Sequence, residues 1–133
     1  RADLVWFSAH SRSFVTTASP DAPIEDFLIL LDGPMCPYPS ENFGWFRDHV
    51  DGPFLYVDRV VVAVERQRRG RARTLYEWAV QLEPRRWPVL CAEVNLVPRN
   101  ARSLQFHASL GFVEIGRHWH RDGKLLSMLM RPL

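Results

Sequence analysis

The sequence is poor in the features that mark several large classes of protein. It has two cysteines, Cys36 and Cys91, among 133 residues, too few for the disulfide framework of a small secreted domain. No apolar run approaches the roughly 18 residues that a membrane span requires, and no signal peptide is recognisable. With 17 Lys and Arg against 15 Asp and Glu, the net charge of +2 is too small to indicate nucleic-acid or polybasic membrane binding. These absences predict a cytoplasmic domain that acts on neither membranes nor nucleic acids.

The residues that are present suffice for one packed domain. The chain is 47% hydrophobic and 24% charged, which is typical of a globular protein and not of a disordered one. No internal repeat or low-complexity stretch divides it, so residues 1–133 are expected to form a single domain. Apolar periodicity predicts strands at residues 13–17, 27–31, 54–64, 89–96, 112–119 and 124–130, and helices at residues 2–8, 72–82 and 101–110. This alternation predicts an α/β fold with a mixed sheet.

Two segments carry sharper structural expectations. Residues 32–46 combine three prolines and two glycines with several aromatics, which predicts a loop that contains at most one helical turn at its end. Three consecutive valines, Val60, Val61 and Val62, predict a stretch of strand that is buried on both faces.

A basic turn with a single glycine separates the valine strand from the next helix. It reads Gln67-Arg68-Arg69-Gly70-Arg71-Ala72, and five arginines fall within residues 66–73. The first N–H groups of a helix attract anions, and the small Gly70 and Ala72 would let a pyrophosphate approach the main chain. A solvated basic helix start is the simpler explanation of the arginines alone. Neither the P-loop nor the three-glycine dinucleotide fingerprint is present.

The helix that follows residue 100 carries a polar stripe. Asn100 and His107 are seven residues apart, almost two turns, so they project along one face. That face could line a cleft, although a single histidine on such a helix is more often a surface residue. His107, His118 and His120 do not combine with the cysteines into a spaced ligand set, so no metal site is expected.

The order of these segments resembles the GNAT superfamily of N-acetyltransferases. The resemblance rests on the valine strand, the Q-x-x-G-x-A turn and the N-x-x-S-x-x-F-H-x-x-x-G-F segment; it covers residues 54–133 and extends more weakly back to residue 13. It implies the GNAT fold, a central and mostly antiparallel sheet with splayed strands flanked by helices, here without part of the N-terminal strand and helix. The implied partners are acetyl-CoA, as cosubstrate, and an amine acceptor, with no metal; a homodimer is left open.

In this family, the pantetheine arm of acetyl-CoA lies along the strand before the glycine turn, and the turn holds the pyrophosphate. The resemblance therefore implies a cofactor site formed by Val60, Val61, Val62, Arg68, Arg69, Gly70, Arg71, Ala72, Arg73 and Asn100. A main-chain N–H near Val61 or Val62 is expected to stabilise the oxyanion that forms when an amine attacks the thioester.

The same reaction needs a base, because a protonated amine with a pKa near ~10.4 cannot attack. Glu93 matches a glutamate that some members place on the strand beyond the cleft, and Asp58, on the face of Val62, is the alternative. A salt bridge for Asp58 and a solvent-facing position for Glu93 are equally consistent with the sequence. His107 stands where the family usually has a tyrosine that protonates the departing thiolate, and an imidazolium could do the same.

The acceptor site is sought among aromatic residues. Trp45, Phe46 and Tyr56 are the candidate acceptor-binding residues, although packing at the edge of the core explains the aromatics of residues 38–46 more simply. His118 and His120 should face one side of the last hairpin and Trp119 the other, so the two histidines border the acceptor entrance or face water.

The expected function is transfer of the acetyl group of acetyl-CoA to a primary amine of a small molecule or peptide. The alternative is an acyl-CoA-binding module of the same fold with little or no turnover, which the histidine at position 107 suggests. A nucleic-acid binder that uses the arginine cluster is disfavoured by the near-neutral charge and the lack of interleaved aromatics.

Overall fold

Six strands and three helices make up the described part of the chain. The computed structural model describes residues 11–17, 21, 24–62, 70–81 and 86–133. The strands are β1 (Ser11–Thr17), β2 (Ile24–Gly33), β3 (Phe54–Val62), β4 (Val89–Val97), β5 (Val113–Trp119) and β6 (Leu125–Pro132). The helices are α1 (Glu41–His49), α2 (Arg71–Val80) and α3 (Ala101–Ser109). All six predicted strands and the two later helices are confirmed, whereas the helix predicted at residues 2–8 lies outside the described residues.

Helix α1 lies where a loop was expected. The prediction of at most one helical turn within residues 32–46 is wrong, because α1 runs for nine residues. The Ser40 hydroxyl accepts a hydrogen bond from the N–H of Phe43 at 3.3 Å and caps the start of the helix. Gly44 lowers the helical propensity, but burial of Phe43 and Phe46 against the sheet outweighs this cost. Tertiary packing therefore decides the conformation of this segment.

The strands form one mixed sheet, as predicted, in the order β1-β2-β3-β4-β6-β5. Neighbouring strands are antiparallel except β3 and β4, which run parallel. That parallel pairing is short, since it joins Leu55 to Leu90 and Tyr56 to Cys91. Beyond these residues the two strands continue without pairing to each other. They therefore splay apart and open a gap in the middle of the sheet, as the resemblance implied.

A β-bulge contributes to this divergence. Val57 pairs with Leu30 and Arg59 pairs with Ile29 on β2, so Asp58 is an extra residue on β3. A bulge bends its strand and increases the local twist. Strand β3 therefore turns away from β4 directly after the last residues that the two strands pair.

Alternate residues of β3 belong to two hydrophobic cores, one on each face of the sheet. Leu55 and Val57 face the core that α2 covers, and Phe54 and Tyr56 face the core that α1 covers. Aromatic rings dominate the second core, where the ring centroids of Phe43 and Tyr56 lie 5.3 Å apart. These contacts hold α1 against the sheet beside the gap.

The three valines of β3 are not buried on both faces, contrary to the prediction. The run of consecutive buried residues on β3 ends at Val57. Beyond it, Val61 is 38% exposed, and Val60 and Val62 are half-buried. Because β4 no longer pairs with β3 at this point, the valines lie along the wall of the gap instead of inside the sheet.

Helix α3 begins and ends where the sequence predicts. Asn100 caps its start by accepting a hydrogen bond from the Ser103 N–H at 3.1 Å. At its end Gly111 has a φ of +92°, and the N–H of Phe112 donates to the His107 carbonyl, which is the Schellman arrangement. None of the described helices is long and apolar enough to span a membrane.

Gly33→Ala should lower the free energy of unfolding by about 1–3 kcal/mol, because the added Cβ would overlap the buried ring of Phe54. Gly44→Ala is the matched control. A Cβ at Gly44, inside α1, would meet no atom within 4 Å and should raise the free energy of unfolding by about 0.5–1 kcal/mol. Urea unfolding measures both values, and equal effects of the two substitutions would contradict the packing described for Phe54.

Candidate active site

The gap between β3 and β4 opens into two adjoining cavities. The larger has a volume of about 570 Å³ and lies between β3 and the starts of α2 and α3; we call it the basic cavity. The smaller, of about 390 Å³, lies between the diverging strands and reaches α1 and the β5–β6 hairpin; we call it the carboxylate cavity. Both are lined by Val60, Ser103 and His107, so they form one continuous depression.

The residues that line the two cavities come from elements far apart in sequence. The basic cavity is lined by Val60, Val62, Gly70, Arg71, Ala72, Arg73, Asn100, Arg102, Ser103, Phe106 and His107. The carboxylate cavity is lined by Asn42, Val57, Asp58, Arg59, Val60, Tyr76, Ala92, Glu93, Asn95, Ser103, His107, His120, Asp122, Lys124 and Leu126. The described residues of the expected cofactor set thus meet in one cavity, apart from Val61, and both candidate bases meet in the other. Arg68 and Arg69 lie outside the described residues.

The basic cavity offers an anion a helix N-terminus and positive side chains. Gly70, at the N-cap of α2, has a φ of +73°, and no side chain caps this helix. A Cβ at Gly70 would meet no atom within 4 Å, so there is open space beside the first N–H groups of α2. Arg71, Arg73 and Arg102 add three positive charges, and the described lining contains no acidic residue. Arg102 was not among the residues expected at the cofactor site. The sequence feature that could have indicated it is its position two residues after Asn100, at the start of the same helix.

Two of these arginines also hold the fold together. Nε of Arg71 lies 2.9 Å from Oδ2 of Asp26, a fully buried carboxylate on β2. The guanidinium of Arg73 donates to Oγ of Ser109 at 2.9 Å and so links α2 to α3. A guanidinium has five N–H donors, so both arginines have more donors than these contacts use. The two contacts orient the start of α2 toward the cavity.

His107 lines both cavities but is buried, so it is not the surface residue that a single histidine usually is. Its Nδ1 lies 2.8 Å from the carbonyl oxygen of Ser103, which can only accept, so Nδ1 carries the proton. Nε2 then accepts a hydrogen bond from the Tyr76 hydroxyl at 2.8 Å. Burial lowers the pKa of His107, so the ring is neutral at neutral pH. This geometry does not favour the expected role of His107 as an imidazolium acid.

Glu93 lies in the carboxylate cavity and is not solvent-facing. Its Oε1 accepts hydrogen bonds from the Tyr56 hydroxyl at 2.5 Å and from the Asn42 amide at 2.9 Å. Burial raises the pKa of Glu93 to about 6; these two hydrogen bonds oppose the rise, and the charge of Asp58 adds to it. A carboxylate with this pKa is ionised at neutral pH and still basic enough to take up a proton.

Asp58 faces the same cavity from the bulge of β3. Its Oδ1 accepts a hydrogen bond from the Tyr38 hydroxyl at 2.6 Å, and not from an arginine as in the alternative that the sequence left open. Tyr38 precedes α1, and Asn42 lies in its first turn. The sequence placed Tyr38 only among the clustered aromatics of residues 38–46, and it gave no sign of Asn42 because the segment was predicted to be a loop.

None of the three aromatic residues that were candidates for acceptor binding lines either cavity. Phe46 is fully buried in the core under α1, so it cannot reach a ligand. Trp45 stacks on His49 and packs against Gly116 of β5. Tyr56 is buried as well, and its hydroxyl reaches Glu93. Packing at the edge of the core, the simpler explanation, is the arrangement that the structure has.

The β5–β6 hairpin closes one side of the carboxylate cavity. Nε2 of His118 lies 2.6 Å from the carboxylate of Glu41, which ties the hairpin to α1. His120 lines the cavity, whereas Trp119 points the other way and is 64% exposed, so the predicted alternation is confirmed. Within the described ranges, no three His, Cys, Asp or Glu side chains are grouped closely enough to hold a metal ion.

Comparison with known proteins identifies the fold. No family model matches the chain, and no curated protein sequence matches it significantly. Among solved structures, the NatB acetyltransferase complex bound to CoA and MES is similar over 98% of this chain and 77% of its own, with a TM-score of 0.71 and 12% identity. The ribosomal-protein-S18-alanine N-acetyltransferase of Escherichia coli is similar over 98% and 74%, with a TM-score of 0.66 and 20% identity. Arabidopsis thaliana NAA60 with acetyl-CoA is similar over 93% and 77%, with a TM-score of 0.68 and 14% identity. The chain has the GNAT fold.

The fold is the one that the valine strand, the glycine turn and the asparagine helix implied. The chain spans about three quarters of the length of these three solved chains. The elements that carry the resemblance, β3, α2, β4 and α3, are the elements that enclose the two cavities. The sequence motifs and the shared architecture therefore point to the same part of the molecule.

Tyr56→Phe should raise the pKa of Glu93 above its value of about 6. The lost hydroxyl donates to the ionised carboxylate, and a hydrogen bond to a charged group corresponds to a rise of about 1–2 pKa units. Tyr38→Phe is the matched control, because it removes a hydroxyl that donates to Asp58 instead. Carbon-13 NMR titration of the side-chain carboxyl measures the shift, and an unchanged Glu93 in Tyr56→Phe would contradict the assigned hydrogen bond.

Proposed function

We propose that this chain is a GNAT N-acetyltransferase that transfers the acetyl group of acetyl-CoA to a primary amine by direct attack. The observation that carries the proposal is the place of Glu93, a carboxylate with a pKa of about 6 in a cavity continuous with an uncapped, arginine-rich helix start. A base and a phosphate cradle on either side of one gap are what amine acetylation by a CoA thioester requires. On this proposal a single domain, residues 1–133, holds the whole site.

The basic cavity is assigned to acetyl-CoA. The pyrophosphate would lie at the N-terminus of α2 beside Gly70, where Arg71, Arg73 and Arg102 balance its charge. The amide-rich pantetheine arm would run along the part of β3 that does not pair with β4. The remaining contacts assigned to the cofactor are Val60, Val61, Val62, Arg68, Arg69, Ala72 and Asn100.

Glu93 is assigned as the general base. It would take a proton from the bound ammonium group, and the freed lone pair would attack the carbonyl carbon of the thioester. A main-chain N–H near Val61 or Val62 would stabilise the resulting oxyanion. Glu93 lies on the α1 side of the sheet with Tyr56, whereas Tyr76 and His107 lie on the α2 side. The gap would thus place the base and the leaving group on opposite sides of the reacting carbon.

The wall formed by Tyr76 and His107 is assigned to the departing thiolate. Burial raises the pKa of Tyr76, so its hydroxyl remains protonated at neutral pH. The only N–H of neutral His107 is directed at the Ser103 carbonyl. Tyr76 is therefore the donor assigned to the sulfur. Its single O–H proton, which Nε2 of His107 accepts in this structure, would turn to the thiolate as the C–S bond breaks, and His107 is the positioning residue that holds the phenol in place until then.

The acceptor is proposed to be the primary amine of a small molecule or a peptide. The name of the Escherichia coli neighbour describes acetylation of an alanine of ribosomal protein S18, so the fold accommodates an acceptor of the protein class. The carboxylate cavity, of about 390 Å³, contains Glu93 and is the place assigned to the acceptor.

Gly70→Glu should abolish the rise in melting temperature that acetyl-CoA or CoA produces by binding to the folded chain. The new side chain would place a negative charge where the pyrophosphate is assigned. Gly123→Glu is the matched control, because Gly123 also has a positive φ, of +94°, and open space around its Cβ, but does not line either cavity. Differential scanning fluorimetry measures the shift. A full shift in Gly70→Glu would refute the cofactor site.

Glu93→Gln should lower kcat by about 10²- to 10⁴-fold, the usual contribution of a general base. In the unsubstituted chain, kcat/KM should fall as the pH drops below about 6, because the base works only when Glu93 is ionised. This acid limb should be absent from the residual activity of Glu93→Gln. Thiol release from acetyl-CoA with a panel of amines measures both effects.

Glu77→Gln, which neutralises an exposed carboxylate on α2, is the control and should retain the full rate. An acid limb that persists in Glu93→Gln would exclude Glu93 as its origin. Binding of acetyl-CoA with no thiol release from any amine would instead favour the alternative function, an acyl-CoA-binding module without turnover.

A further inference from the structure

Two buried oxygen atoms of the carboxylate cavity have no hydrogen-bond partner among the described residues. They are Oδ1 of Asn42 and Oδ2 of Asp58. Both residues line the cavity that also contains Glu93. Buried polar atoms of folded proteins are nearly always paired, so each orphaned acceptor needs an explanation.

The contacts around these atoms explain why they are left over. The Asn42 side chain turns its NH₂ group toward Glu93, because an ionised carboxylate can only accept, and this leaves the amide oxygen without a donor. The Tyr38 hydroxyl donates its hydrogen bond to Oδ1 of Asp58, so Oδ2 of the same carboxylate is left without a donor. The neighbours that fix the two side chains therefore also fix two acceptors in the cavity.

The missing partner must supply N–H or O–H donors, and the charges around it favour a cation. Asp58 and Glu93 repel each other, as the contribution of Asp58 to the raised pKa of Glu93 shows. Arg59 and Lys124 line the same cavity, but in the described part of the chain neither forms an ion pair with Asp58 or Glu93, and Lys124 lies 3.9 Å from the carboxylate of Asp122. A protonated primary amine has three N–H donors and one positive charge, and a neutral alcohol or arylamine has fewer donors and no charge.

We propose that Asp58 and Asn42 are the residues that hold the ammonium group of the acceptor and select it over a neutral amine or alcohol. This inference rests on the function proposed above. Oδ2 of Asp58 and Oδ1 of Asn42 each accept one N–H of the ammonium group, and the carboxylate of Glu93 accepts the third. Three donors on the ligand thus meet three acceptors on the protein.

The same arrangement balances the protons of the reaction. Glu93 removes one proton from the ammonium and becomes a carboxylic acid, while Asp58 and Asn42 hold the other two N–H bonds during the attack. The freed lone pair forms the N–C bond of a tetrahedral intermediate. When this intermediate collapses, the C–S bond breaks with its electrons on the CoA sulfur and the nitrogen gives up a second proton, so the products are an amide with one N–H, the CoA thiol and the protonated Glu93. Asp58 thus serves as a binding residue, and the base role stays with Glu93.

The test measures binding without turnover, using the chain saturated with CoA, which has no acetyl group to transfer. n-Butylammonium and the neutral n-butanol, which have the same carbon chain, are titrated by NMR. We expect n-butylammonium to bind and n-butanol to bind at least about tenfold more weakly. Equal affinities would overturn the proposal, and this comparison needs no substitution in the protein.

Asp58→Asn should weaken binding of n-butylammonium by at least about tenfold and leave the weak binding of n-butanol unchanged. Asp122→Asn is the matched control, because Asp122 lines the same cavity but its carboxylate already accepts from the Lys124 N–H. Its effect should be much smaller than that of Asp58→Asn. Undiminished n-butylammonium binding in Asp58→Asn would overturn the assignment of Asp58.

Alaninamide distinguishes the two sources of such an amine, since it has the α-ammonium group of a peptide N-terminus, whereas n-butylammonium mimics a side chain or polyamine. Binding of either supports the proposal, and the tighter of the two identifies the source. CoA could raise the melting temperature, and Gly70→Glu abolish that rise, while the chain shows no preference for ammonium over alcohol. That combination would overturn this inference and leave the proposed function in place. No melting shift with CoA would count against the proposed function instead.

Discussion

The short parallel contact between β3 and β4 is the constraint on which the rest of the site depends. Two paired positions, Leu55 with Leu90 and Tyr56 with Cys91, hold the strands together. The cores on both faces fix this junction, and the bulge at Asp58 turns β3 away directly after it. More paired residues between β3 and β4 would close the gap, and fewer would separate the sheet into two halves. The gap is therefore a consequence of where pairing stops.

The gap also separates charge and sets the protonation of the groups around it. Positive side chains gather where α2 and α3 begin, and carboxylates gather where β3 leaves β4. Burial then acts on each titratable group according to its charge. It raises the pKa of Glu93, keeps the Tyr76 hydroxyl protonated and keeps His107 neutral. The same low-dielectric environment therefore leaves a base, Glu93, on the α1 side of the sheet and a hydrogen-bond donor, Tyr76, on the α2 side.

Local patterns in the sequence were sufficient where a single segment carries the signal. Gly70 and Asn100 mark helix starts through chemistry that acts within a few residues, and both were placed correctly. Helix α1 was missed because it contains Gly44 and follows prolines, and because the burial of its phenylalanines against the sheet, which stabilises it, is not visible in the local pattern. That error also concealed Asn42 as a component of the site.

The sequence by itself determined the mixed α/β architecture, the GNAT resemblance, and the residues of the basic turn and polar helix, because these depend on periodicity, capping and short motifs. Only the tertiary structure decided which side chains meet. It paired His107 with Tyr76 across 31 positions and Glu93 with Tyr56 across 37, and it buried Phe46 away from any ligand. Such pairings depend on strand register and on how helices pack across the sheet, and neither is encoded in the spacing of residues along the chain.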